Sequence, residues 1–309
     1  MTALAAVATY LPEERVPIGD LADRLGLTPM QIKVFQRYHK LDEVRLDRDG
    51  TVLDLLLGAV DNLDALRGNE HRVRYVVHAR TFPVVVPYPV NPVHEVCRLR
   101  GLDAAVAFTV THHACASGLL AIDVVGRLLD ADGDADALAL VLAGEKAFTP
   151  ETQLVPETSI FGEGASACLV RTGGPRDRLL SYAVNLRGEF DGEQEEVAAR
   201  FQREYAQSLA DAILAAVEQA GSSVDGIALI LPHNVNMVAW QRVCRRIGFP
   251  VTRVVLDNVP VTGHVFCADA FVNYLTATRR ELLRPGDRYV VAAAGAGRGA
   301  TFSAMVFEH

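Results

Sequence analysis

Residues 115–144 read CASGLLAIDVVGRLLDADGDADALALVLAG, and residues 267–295 read CADAFVNYLTATRRELLRPGDRYVVAAAG. Both open on Cys-Ala and continue as a helical pattern with arginine at the thirteenth position, Arg127 and Arg279. Both then pass a Gly-Asp turn, Gly133-Asp134 and Gly286-Asp287, and finish on an all-apolar strand that ends in glycine. One gap in the turn aligns them. The same order of elements at two places in one chain is the mark of an internal duplication. The spacing predicts two similar halves, each supplying a helix that leads into a central strand. The boundary is expected near Thr172–Arg178, giving residues 1–174 and 175–309.

The rest of the chain fits around these segments. Strands are expected at Ala3–Thr9, Val73–Ala79, Val106–Thr111, Ala137–Ala143, Ala165–Val170, Ile227–Leu231, Tyr289–Ala294 and Thr301–Phe307. Helices are expected at Thr51–Leu63, Ser117–Leu129, Glu195–Gln219, Met237–Ile247 and Ala268–Leu283. Several strands are apolar throughout, which predicts a sheet covered on both faces in a layered α/β fold. Pro83, Pro87, Pro89 and Pro92 mark an extended loop, and the acidic run Glu189 to Glu196 marks a solvated connection.

Composition narrows the function. The 309 residues are 50% hydrophobic and 22% charged, enough for a large core. The formal net charge is -8, the wrong sign for a general binder of nucleic acid or anionic membranes. No apolar run approaches the ~20 residues of a membrane span, and the N-terminus lacks a basic signal-peptide start, so the cytoplasm is expected. The five cysteines, Cys97, Cys115, Cys168, Cys244 and Cys267, form no Cys-x-x-Cys pair and read as reduced thiols, with no metal site.

Three residues stand out as chemistry. Cys115 follows a strand and sits where a helix begins, and amide donors there favour a thiolate. A plain buried cysteine is the competing reading. His233 ends an apolar strand, at the crevice where α/β proteins bind ligands, with Asn234 and Asn236 beside it. His264 follows Gly263, and Asp269 lies five residues on, within reach if the helix begins near Val265. The competing reading has Asp269 serving a backbone turn only. The segment AAAGAGRGATFSAMVF lies between two strands without a following helix, so it reads as a tight hairpin rather than a phosphate cradle.

Together these motifs resemble the ketosynthase III branch of the thiolase-fold condensing enzymes, over nearly the whole chain. ATYLPEERV is similar to the family's opening strand and turn, THHACASGL to its nucleophile segment, IFGEGASACLV to its Phe-Gly-Asp-Gly-Ala motif with Glu163 for Asp, PHNVN to its His-x-x-Asn, and AGAGRGATFSAMVF to its final hairpin. The resemblance implies a thiolase fold with two similar halves in an α-β-α-β-α arrangement, and a homodimer. It implies Cys115 as acyl carrier, with His233, His264 and Asp269 completing the catalytic set. Substrate contacts are implied at Asn236, Gly295 and Gly297, and at Arg37, which falls where the family holds the adenine end of CoA. His264 stands where the family's usual catalytic asparagine would be.

The chemistry so implied moves an acyl group from a CoA or acyl-carrier-protein thioester onto Cys115 and then to a small-molecule acceptor, with no permanently bound cofactor. A carboxylate at Asp269 would repel a malonyl acceptor but raise the basicity of a histidine. Transfer to oxygen or nitrogen in natural-product biosynthesis is therefore expected. The alternatives are decarboxylative condensation with malonyl carrier protein, and an inactive subunit of a heterodimer. Acyl carrier proteins are acidic, so Arg242, Arg245 and Arg246, spaced along one helix face, are the expected carrier contact.

Overall fold

Alternate residues of the central strands face different cores, and that is why these strands carry no polar face. In the strand Leu138–Glu145, Leu138, Leu140 and Leu142 point into one core while Ala139, Val141 and Ala143 point into another. In the strand Arg288–Gly297, Val290, Ala292 and Ala294 are split from Tyr289, Val291 and Ala293 in the same way. The computed structural model describes residues 1–191, 194–297 and 299–309. The expected acidic connection, Glu189 to Glu196, lies partly outside the described residues.

Nine strands form the central sheet: β1 Thr2–Tyr10, β2 Val73–Ala79, β3 Val106–Val110, β4 Leu138–Glu145, β5 Gly164–Thr172, β6 Arg178–Arg187, β7 Ile227–Pro232, β8 Arg288–Gly297 and β9 Gly299–Glu308. Their order is β7-β8-β9-β6-β1-β5-β4-β2-β3. A single register pair, Ala3 with Arg178, joins β1 to β6, so the sheet divides there into two similar parts. In the first, β2 and β4 are parallel, and β4-β5-β1 continue antiparallel. In the second, β7 and β8 are parallel, and β8-β9-β6 continue antiparallel. The counterpart of edge strand β3 is reduced to one parallel bridge, Ile230 with Val254.

Helices fill three layers. α1 (Val52–Asp61) and α2 (Pro92–Leu99) cover the first part of the sheet through Leu55, Leu56, Val93 and Val96. α4 (Gln194–Gln219) and α5 (Met237–Ile247) cover the second through Leu209, Ile213, Trp240 and Val243. Between the two parts lie α3 (Ser117–Asp132) and α6 (Asp269–Arg279). α3 buries Leu119, Ile122, Val125 and Leu129, each worth roughly 1.5–3 kcal/mol of transfer free energy. α3 and α6 are the helices of the repeated segments. Each begins two residues after its Cys-Ala cysteine, behind a 3₁₀ turn, Ala114–Ala116 or Phe266–Ala268. A Cβ on Gly118 would sit 3.0 Å from the Cys267 carbonyl, so the two helix starts approach closely.

Two departures from the sequence pattern bear on the central sheet and its cover. The pattern does not mark β6. Its residues include exposed Val184 and Leu186, and only Ser181 and Ala183 are buried, so the buried-strand signature is missing. Pro92 is not loop but the first residue of α2, where the missing N–H costs nothing, behind an Asn91 side chain that accepts from the His94 N–H. Among the described residues, no helix is long and apolar enough to cross a membrane.

Candidate active site

Cys115 sits in the 3₁₀ turn between β3 and α3 and is buried. The backbone before it is strained: His112 and Ala114 have φ of 72° and 45°, the left-handed region, which residues with a Cβ rarely adopt. The turn is pressed against β8. A Cβ on Gly295 would lie 2.1 Å from the His113 carbonyl oxygen and 2.8 Å from the Ala114 Cβ, so only glycine fits there. Gly295 therefore supports the turn from behind. Gly297 pairs with Gly299 at the tip of the β8–β9 hairpin.

His264 comes to Cys115 from the other half. Gly263, at φ 65°, sets the bend before it, and the His264 amide donates to the Ile160 carbonyl at 3.1 Å. Its ring stacks on Phe161 with centroids 4.4 Å apart. Its Nδ1 is in ion-pair contact with Asp269 Oδ2, off the line of a good hydrogen bond, which leaves Nε2 for the thiol. Burial alone would lower the His264 pKa. The Asp269 carboxylate and Cys115 reverse this and hold it up at about 10. Asp269 is itself buried, and its two oxygens accept the Asn234 and Val265 amides at 2.6 and 2.7 Å. It thus fixes the backbone at both histidine segments and charges one ring.

His233 has the opposite character. It caps β7, with its ring centroid 5.7 Å from that of His264. Its Nδ1 lies 3.4 Å from the Ala292 carbonyl, and its Nε2 lies 2.7 Å from the Tyr205 hydroxyl on α4. Burial, then the charge of His264, pushes its pKa down to about 3, so the ring is neutral. Asn236 is committed within the protein: its side-chain oxygen accepts the Ala239 amide at 2.7 Å and caps α5, and its Nδ2 donates to the Thr158 carbonyl.

A second thiol lies behind the first. The Thr81 hydroxyl is 3.5 Å from Cys115 Sγ and 3.6 Å from Cys267 Sγ. Cys267 donates to the Ala114 carbonyl at 3.3 Å, and burial pushes its pKa well up. Glu145, the last residue of β4, holds this wall: its oxygens accept the Thr81 and Phe82 amides at 2.6 and 2.9 Å. Burial raises the Glu145 pKa from 4.5 to about 7 against those two amides. A folded-state pKa above the unfolded one stabilises fully below 4.5, and that contribution is lost as pH rises through about 7. Glu145→Gln is therefore expected to flatten the fall in stability between about pH 5 and pH 8, by a difference on the order of 3 kcal/mol. Denaturant titrations at the two pH values measure it, and an unchanged slope would show that Glu145 is ionised throughout.

Four arginines singled out in the sequence are at the surface. Arg242, Arg245 and Arg246 are exposed on α5, whose other face buries Trp240 and Val243. Arg37 is exposed on the turn Phe35–His39, and His39 in that turn lies near Asn236 and Arg242.

Residues 217–309 match the family described as 3-oxoacyl-[acyl-carrier-protein (ACP)] synthase III C terminal. The beta-ketoacyl-[acyl-carrier-protein] synthase III of Ruegeria sp. (strain TM1040) is 28% identical over 218 residues, covering 64% of this chain and 66% of that protein. The matched stretches span 48–66% of the first curated relatives. The structure of 3-oxoacyl-[acyl-carrier-protein] synthase III from Aquifex aeolicus VF5 superposes with a TM-score of 0.83 over the full length of both chains, at 17% identity. The structure of ChlB3, named as an acyltransferase, superposes with a TM-score of 0.84 over 99% of this chain and 97% of that one, at 19% identity. The chain is ketosynthase III-like and has the thiolase fold.

In this ketosynthase III-like site the fold gathers Cys115, His233, His264, Asp269 and Gly295. Arg37 and the α5 arginines lie outside, at the surface. Sequence reasoning passed over Tyr205, Thr81 and Glu145. Glu145 carried a signal, a carboxylate closing an otherwise apolar strand. Tyr205 carried none, because its partner His233 is 28 positions away on another element.

Proposed function

We propose that the protein is an acyltransferase that loads an acyl group from a CoA or carrier-protein thioester onto Cys115 and passes it to an alcohol or amine. The observation that carries this reading is the Asp269–His264 contact beside Cys115. An imidazolium held by a buried carboxylate favours a thiolate on the neighbouring sulfur, the nucleophile that acylation needs. Once Cys115 carries the acyl group and the leaving thiol has taken the proton, His264 is neutral. With Asp269 behind it, the ring is a strong base for an O–H or N–H. The same carboxylate opposes a malonyl group, whose charge grows into an enolate on decarboxylation. ChlB3 is named as an acyltransferase, on the side of transfer, and the Ruegeria protein as a synthase, on the side of condensation. Condensation is the second reading, favoured by two histidine rings 5.7 Å apart.

The acidic carrier is proposed to dock on Arg242, Arg245 and Arg246, with Arg37 at the phosphate end of the thioester arm. A homodimer is proposed through β3, an edge strand with Val106 60% exposed.

The test is single-turnover loss of the acyl group from pre-acylated protein, with hydroxyl, amine and malonyl-thioester acceptors in parallel. Loss to a hydroxyl or amine at least tenfold faster than to malonyl is expected. Loss only to malonyl, with release of CO₂, overturns the reading in favour of condensation.

A further inference from the structure

His233 has one strong side-chain hydrogen bond, and it goes to a residue that sequence motifs did not single out. Tyr205 Oη lies 2.7 Å from His233 Nε2. The other ring nitrogen, Nδ1, faces the Ala292 carbonyl, which can only accept. A carbonyl beside Nδ1 favours the tautomer with its proton there, so Nε2 carries a lone pair and the Tyr205 O–H donates to it. His233 is 2% exposed, which shields that lone pair from bulk solvent. Tyr205 is half-buried, packed with Phe201 and Phe302, and Cys115 is close enough that a thiolate there would oppose ionisation of the phenol.

What the site presents to an acceptor follows from these partners. His233 cannot donate from Nε2. With its only proton committed, the Tyr205 oxygen can offer lone pairs alone. The Tyr205–His233 pair, its ring 5.7 Å from that of His264, therefore presents a hydrogen-bond acceptor. A primary amine brings two protons, one for His264 and one that hydrogen-bonds to this pair and orients the nitrogen. A malonyl thioester brings a carbonyl oxygen and a carboxylate, and both face lone pairs there.

We propose that Tyr205 determines acceptor specificity in favour of an amine: it receives the hydrogen bond of one N–H while the other faces His264, and it ties up His233 so that the ring cannot stabilise the enolate of a malonyl acceptor. This deepens the acyl-transfer reading and rests on it. Tyr205 moves no electrons. The amine nitrogen forms the new bond to the thioester carbonyl carbon, one N–H proton goes to neutral His264 while the other stays hydrogen-bonded to Tyr205, and the carbon–sulfur bond breaks to return Cys115 as thiolate. The role of Tyr205 is orientation of the attacking atom and exclusion of the competing acceptor.

Tyr205→Phe removes the hydroxyl and keeps the ring that packs on Phe201 and Phe302. The rates of acyl loss to a primary amine and to malonyl thioester are measured on pre-acylated wild type and variant. The ratio of the first rate to the second is expected to fall about tenfold or more in the variant, the scale of one hydrogen bond, with the acceptor's KM rising. A cooperative thermal unfolding transition in the variant shows that it is folded. An unchanged ratio overturns the assignment of Tyr205. The wild-type ratio alone tests the acyl-transfer reading, so the two failures are distinct. A second measurement does not depend on turnover. In ¹⁵N-histidine spectra His233 Nε2 is expected to show the unprotonated, hydrogen-bonded signature in wild type and to shift in Tyr205→Phe. A protonated Nε2 in wild type would also overturn the inference.

Discussion

Cys115→Ala is expected to abolish acylation, taking the adduct from one acyl mass per chain to below detection by intact-protein mass spectrometry. Burial disfavours ionisation of four of the five thiols. Burial pushes Cys97 and Cys244 up to about 11, and Cys168 and Cys267 higher still. A thiol at about 11 is ionised to less than roughly one part in a thousand at about pH 7.5, and only the thiolate attacks a thioester. Cys115 alone faces a histidine charged by a carboxylate. Cys267 is the informative control, because it shares the Thr81 hydroxyl with Cys115 and begins the equivalent helix of the other half. Cys267→Ala should keep the adduct. An acyl mass that survives in Cys115→Ala, or that maps to the Cys267 peptide, would reverse the roles of the two thiols.

The paired cysteine segments were legible because duplication leaves a pattern in one dimension: the turn, helix and strand follow one another without interruption, so local spacing records them. The strands on either side were legible for a related reason. Burial on both faces strips them of polar residues, and a continuous apolar run as short as LALVLAG is what such a strand leaves in the chain. β6 escaped because it borders the join between the two parts of the sheet and keeps several residues half-exposed. Cys115, His233 and His264 were legible because each lies at the end of an element that the pattern marks. Their partners were not. Thr81 reaches Cys115 and Cys267 from the loop after β2, held there by Glu145 at the end of β4, and Tyr205 reaches His233 from the middle of a helix whose pattern records only its buried face. Such contacts are set by how layers stack, which no spacing along the chain encodes. Asp269 lay between these cases. The five-residue interval allowed either a backbone cap or a histidine partner, and in the folded chain the one carboxylate does both.

That double duty shapes what Asp269→Asn should do. The carboxylate accepts two backbone amides, and an asparagine has one oxygen to offer, so either the Asn234 or the Val265 N–H loses its partner. An unsatisfied buried donor costs about 1–3 kcal/mol, which a denaturant titration reads directly. The electrostatic effect is larger and has a sign of its own. With the charge gone, burial is opposed only by Cys115, and the His264 pKa falls from about 10. The cation beside Cys115 is then lost at lower pH. Acylation in wild type should hold its rate until His264 loses its charge near about pH 10, and in the variant the pH profile should move with the lowered His264 pKa. Transfer to an alcohol or amine loses its base and should fall by ~10²-fold or more. Stability moves with pH in a matching way. In wild type the raised His264 pKa contributes fully below about 6.5 and is lost as pH rises through about 10, so the wild-type advantage over the variant should shrink as the solution is made alkaline. A role confined to holding the two amides predicts something else: lower stability by the same amount at every pH, with the acylation profile of wild type and transfer reduced less than about twofold. Measuring the acylation rate across pH on the purified variant separates the two, because a backbone cap has no means of changing the shape of that curve.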